Sequence, residues 1–209
     1  MTREIRLVLP VADAAGAARP GLDAGVHRLR VQRIAVTMCK LGARCAAWLD
    51  APGMQTMWRT GAVQHVAMCP LVGPDGLPAL DRMCKQYPDT PVVIDHLARI
   101  GSDGKFRDAD VRLLCGLSRH PNVKVKASAF YALGRKQAPY KDLTLLIKRV
   151  FEDYGPRRMM WASDCPFQVQ DGHHYEQSIA LIRDGLPFLS RDDQEWILRR
   201  TAESVFFRT

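Results

Sequence analysis

No stretch of the 209-residue chain approaches the roughly 18 to 20 consecutive apolar residues that a bilayer-crossing helix requires. The opening residues, Met1-Thr2-Arg3-Glu4-Ile5-Arg6, also lack the long apolar core of a secretory signal, so no membrane partner and a cytoplasmic location are expected. No Cys-x-x-Cys pair occurs. The six cysteines, Cys39, Cys45, Cys69, Cys84, Cys115 and Cys165, are scattered through a chain too long to depend on disulfides, which argues against a thiolate metal knuckle or a disulfide scaffold and for reduced, mostly buried thiols. Basic residues outnumber acidic ones by 30 to 22, a net charge of +8, and that level raises the question of nucleic acid. Yet there is no run of five basic residues, and the scarce aromatics, 8% of the chain, do not interleave with them, so no nucleic-acid partner is expected. Internal repeats, linkers and low-complexity segments are missing as well, and residues 1–209 read as a single domain.

Hydrophobic residues make up 47% of the chain, enough for a real core and against disorder. Short apolar, β-branched runs alternate with helical stretches, the pattern of βα units around a parallel sheet. Strands are expected over Ile5–Leu9, Val26–Val31, Val66–Leu71, Val92–Asp95, Val123–Ala127 and Met159–Ala162. Helices are expected from Asp50-Ala51-Pro52, with Pro52 inside the first turn, to about Gln64, and over Leu77–Tyr87, Asp108–Arg119, Tyr140–Tyr154, His174–Asp184 and Ser190–Phe206. The last opens on Ser190-Arg191-Asp192-Asp193, close to a capping box. The stretches Val11–Asp23 and Gln32–Ala47 carry mixed signals that assign no element. A complete eightfold barrel takes about 250 residues, so six strands in this length imply an open sheet or a barrel short of one or two units.

In βα architectures ligands bind beyond the carboxyl ends of the strands, which directs attention to three places. Val92-Val93-Ile94-Asp95 ends at His96 and continues to Arg99. Val123-Lys124-Val125-Lys126-Ala127-Ser128 alternates strictly, placing Lys124, Lys126 and Ser128 on one face. Met159-Met160-Trp161-Ala162-Ser163 delivers Asp164, after which Pro166 halts the strand. Imidazole and carboxylate are both metal ligands and proton carriers. Taken singly, His96 fits a structural histidine as well as a ligand, and Asp164 fits an Asx turn. Cys165 reads as a packing residue, because a neighbouring carboxylate raises a thiol pKa and disfavours a nucleophile.

The segments Thr90–His96, His120–Ser128 and Arg157–Phe167 resemble, in order and spacing, three late-strand motifs of the amidohydrolase-related family, metal-dependent hydrolases that include dicarboxylate lactonases and decarboxylases. The resemblance implies an α/β fold, a TIM-barrel-like (β/α)8 architecture. It places His96 on the strand-end histidine that contacts metal or substrate oxygen and Asp164 on the aspartate that holds or activates the hydrolytic water. Lys126 and Ser128 fall in a pocket-lining segment, and Arg99 or Arg28 is offered on chemical grounds as a carboxylate partner for a small-molecule substrate such as a lactone or amide. The family's first strand carries His-x-His, and this chain has none: its histidines are His27, His65, His96, His120, His173 and His174. An incomplete barrel, with the first one or two βα units missing, is the resulting expectation. A divalent metal, zinc by preference, would then be held weakly or not at all by His96 and Asp164, and an open sheet edge would favour a homo-oligomer. The competing expectation is a catalytically inactive remnant that serves as a binding or structural protein.

Overall fold

The computed structural model describes residues 34–36 and 47–207. Five strands, β1 (Ile34–Val36), β2 (Met68–Pro70), β3 (Val92–Ile94), β4 (Val123–Ala127) and β5 (Met159–Trp161), form one sheet in sequence order. Every neighbouring pair is parallel. Parallel neighbours in sequence order need a crossover each, and these are supplied by α1 (Pro52–Gln64), α2 (Leu77–Gln86), α3 (Asp108–Gly116) and α4 (Thr144–Tyr154). After β5 come α5 (Tyr175–Asp184), α6 (Arg191–Glu195), a π turn over Trp196–Arg200, and α7 (Thr201–Phe206). The arrangement is the arc of a TIM-type barrel, helices outside, carboxyl ends of all strands on one rim.

The helices start and stop where their residues dictate. Pro52 occupies the first turn of α1, where its missing N–H costs nothing. Ser190 Oγ accepts the Asp193 N–H at 3.2 Å while the Ser190 N–H donates to Asp193 Oδ2 at 2.9 Å, the reciprocal box expected there. α3 and α4 are shorter than their apolar patterns, because 3₁₀ turns at Leu117–Arg119 and Lys141–Leu143 take up the flanking residues. β1 lies in the stretch for which the sequence assigned no element. The expected strands Ile5–Leu9 and Val26–Val31, and Arg28, Cys39 and Cys45, lie outside the described residues.

β2 and β3 are buried on both faces, so they read as unbroken apolar runs. The outer face (Met68, Val92, Ile94, Val123, Val125, Met159) packs against Trp58, Leu77, Leu80, Met83, Leu114, Ile147 and Val150 of the helices in the main core. The inner face (Ala67, Cys69, Val93, Met160) is covered by Val205, Ala202 and Phe206 of α7. β4 alternates as expected, Val123, Val125 and Ala127 fully buried and Lys124 and Lys126 partly so. The terminal segment serves both faces: Ile197 of the π turn joins the outer core and Val205 of α7 the inner cluster.

Candidate active site

The rim of the sheet gathers the ends of β3, β4 and β5, and the backbone there is unusual. His96, Leu97, Ala98 and Arg99 all lie in the left-handed region, with φ of 53°, 50°, 51° and 56°. Each such residue with a Cβ costs about 1–2 kcal/mol. The cost is offset where Leu97 and Ala98 sink completely into the core. A tight left-handed turn puts residues three apart on one side, so His96 and Arg99 emerge together at the rim. Ala129 (φ 54°) and Asp164 (φ 53°) turn the chain in the same way after β4 and β5.

These turns enclose a cavity of about 180 Å³ lined by His96, Arg99, Tyr131 and Asp164 with apolar walls from Leu71, Leu133 and Phe167 among others. His96 Nε2 faces Asp164 Oδ1 across 3.7 Å. On the other side of the ring, Nδ1 lies 2.8 Å from Ser128 Oγ. The Tyr131 hydroxyl donates to Asp164 Oδ2 at 2.8 Å, and Lys126 Nζ pairs with Asp95 Oδ1 at 2.6 Å. Burial holds the His96 imidazole below its usual pKa, against the opposing pull of Asp95 and Asp164, so the ring is neutral near pH 7. The hydrogen bond between Nδ1 and Ser128 Oγ fixes the ring with Nε2 toward the carboxylate.

Of the residues singled out from sequence, His96, Asp164 and Arg99 come together on the cavity wall. Lys126 and Ser128 stand behind it: Ser128 is completely buried against the imidazole, and Lys126 is engaged with Asp95. Tyr131 was missed, although it lies three residues beyond Ser128 in the loop after a strand already picked out. Cys165, expected to pack, is exposed. The left-handed Asp164 swings the chain outward, and the Cys165 N–H turns back to Ser163 Oγ at 3.3 Å. His173 and His174 precede α5: His173 Nδ1 lies 2.8 Å from the Tyr140 hydroxyl, and His174, expected as the first helical residue, is the cap whose N–H donates to Gln177 Oε1.

His96 Nε2 and Asp164 Oδ1 form a neutral nitrogen and a carboxylate oxygen facing one point, the donor types that suit a divalent cation. They fit as two donors of a set. Among the described residues, no group of three or more His, Cys, Asp or Glu gathers for a metal. Nor is any helix among them long and apolar enough to cross a membrane.

Comparison with known proteins agrees with this fold. L-fucono-1,5-lactonase of Burkholderia ambifaria is 30% identical over 129 residues, 60% of this chain and 43% of the lactonase. An amidohydrolase of Burkholderia multivorans superposes with a TM-score of 0.69 at 19% identity, over 77% of this chain and 59% of that one, and has been solved with zinc bound. A probable 2-pyrone-4,6-dicarboxylic acid hydrolase of Acinetobacter baumannii, solved with citric acid bound, gives 0.61 at 24% identity over 76% of this chain and 58% of its own. The chain thus spans about half the length of the relatives it matches. The amidohydrolase family model matches residues 64–208, which takes in β2 through α7 and every residue of the cavity: the chain belongs to the amidohydrolase family.

Proposed function

We propose that the protein hydrolyses a small carboxylate-bearing lactone or amide at the rim cavity. The observation that carries this reading is the facing pair His96 Nε2 and Asp164 Oδ1, 3.7 Å apart, with the Arg99 guanidinium on the same wall. Arg99 binds the substrate carboxylate, for which its forked donors are suited, and Leu71, Leu133 and Phe167 cover the apolar part of the ring. Asp164 Oδ1 takes a proton from the attacking water as oxygen adds to the carbonyl carbon, and returns it to the leaving oxygen or nitrogen when that bond breaks. Neutral His96, fixed by Ser128, orients the water through Nε2. A divalent ion held by His96 and Asp164 would, when bound, supply Lewis acidity and a more acidic water.

Turnover of a panel of sugar and dicarboxylate lactones, followed by proton release with and without added Zn²⁺, tests this. Asp164→Asn should lower kcat by about 100-fold or more. Absence of turnover on the whole panel, or activity indifferent to Asp164→Asn, would overturn it. The count of two donors among the described residues favours a second reading, a protein that binds such carboxylates at Arg99 without cleaving them. It predicts saturable binding of the same lactones with no proton release.

A further inference from the structure

Asp164 has two carboxylate oxygens, and the protein treats them differently. Oδ2 accepts the Tyr131 hydroxyl at 2.8 Å, whereas Oδ1 faces His96 Nε2 at 3.7 Å. Tyr131 is in turn held by its surroundings. Its ring packs against His173 at 5.9 Å between centroids, and His173 stacks on Tyr140 at 6.0 Å. Tyr140 is buried, its hydroxyl 2.8 Å from His173 Nδ1 and accepting from the fully buried Gln168 Nε2 at 3.2 Å. The loop after β4 is thereby clamped to the loop after β5, with Tyr131 at the end nearest the cavity. Burial and the Asp164 carboxylate both push the Tyr131 phenol up, so it remains a proton donor.

We propose that Tyr131 is a positioning residue that, by holding Asp164 Oδ2, turns Oδ1 alone toward His96 Nε2 and the cavity. The physical need is plain. The last torsion of an aspartate is broad and two-fold, and Arg99 lines the same cavity. A carboxylate free to rotate would offer both oxygens to the guanidinium fork, the strongest pairing available to it. That pairing would remove the base from His96 and occupy the cation that recognises substrate. One hydroxyl on Oδ2 prevents both. The inference rests on reading His96 and Asp164 as the reacting pair, and it adds a residue that acts through Asp164.

The test reads the His96 ring nitrogens by ¹⁵N NMR of the full chain at one pH, without metal or substrate, the His96 signals being assigned by their loss in His96→Gln. Tyr131→Phe keeps the ring and its packing and removes only the hydroxyl. It should move the Nε2 resonance by most of the shift that Asp164→Asn produces, with Nδ1 unmoved. In the turnover assay it should raise KM as Arg99 is captured, as well as lowering kcat. An Nε2 resonance unmoved by Tyr131→Phe but moved by Asp164→Asn overturns the proposal. A resonance unmoved by either overturns it together with the reacting pair. Wild-type protein that turns over no lactone overturns the hydrolase reading alone, because the nitrogen resonance still decides what Tyr131 does. Should Tyr131→Phe fail to fold, ultraviolet absorption of the folded Asp164→Asn chain decides: one tyrosine of the five should shift to shorter wavelength on losing its carboxylate acceptor, and an unchanged spectrum overturns the proposal.

Discussion

Ser128 buries its hydroxyl completely and sets it 2.8 Å from His96 Nδ1, so the imidazole is fixed from behind by a residue that does not line the cavity. Ser128→Ala therefore strands a buried ring nitrogen, at a cost of about 1–3 kcal/mol in stability. It also frees the ring to change tautomer, and outer partners of this kind commonly matter about 10- to 100-fold in metal affinity or activity. The expected signature is a kcat that falls further than a melting temperature a few degrees lower would explain. Equal loss in Ser128→Ala and in a comparably destabilised core variant would make the serine a packing residue only.

Lys126 and Asp95 form the second support. Their side chains are 20% and 14% exposed, and Nζ stands 2.6 Å from Oδ1. The Phe206 ring of α7 lies 5.9 Å from the ammonium. Removing one charge leaves the other poorly solvated, so Lys126→Met should cost about 3 kcal/mol in urea unfolding. Adding Asp95→Asn should recover part of it. If the double variant is less stable than the sum of the singles, the ion pair is not what Lys126 contributes.

At the other end of the sheet, Asp81 on α2 accepts His120 Nε2 at 2.7 Å and Lys85 Nζ at 2.9 Å, and also pairs with Arg119. Burial alone would raise this carboxyl, but the bonds from His120 and Lys85 and the Arg119 charge outweigh it and hold it below the ordinary value. A carboxyl lowered by folding stabilises above its unfolded pKa, near 3.9, and that stability disappears as pH falls through the lower folded value. Lys85 and Arg119 are more than half exposed, so solvent screening limits the effect. Asp81→Asn should cost about 1 kcal/mol at pH 7, and the difference from wild type should shrink steadily in acid melts taken below the unfolded pKa. A gap that stays constant as the pH falls would assign the loss to shape and not to charge.

How much was legible in the sequence follows from what each signal measures. β4 was read to the residue because alternation over Val123–Ala127 reports burial directly. His96 and Asp164 could be singled out as candidates because a strand-end position is a sequence property. What the sequence concealed was long-range or conformational. The left-handed turn at His96–Arg99 contains no glycine to announce it. Tyr131 is informative only once Asp164, 33 residues later, is known to lie within hydrogen-bond reach. Ser128 and Lys126 belonged to the right segment, but alternation cannot tell a residue on the cavity wall from one that braces it. β1 is three residues long, too short for any period to register.

The terminal helix supplies the sharpest test of the packing. Val205 is 7% exposed and lies against Ala67, Cys69, Val93 and Met160 on the inner face of the strands that carry the site. Val205→Ala should cost about 1–2 kcal/mol, whereas Leu145→Ala, at a position 78% exposed, should stay within about 0.5 kcal/mol. Urea unfolding of the two variants reads both costs. A loss in Val205→Ala no larger than that in Leu145→Ala would mean that the inner face does not depend on α7.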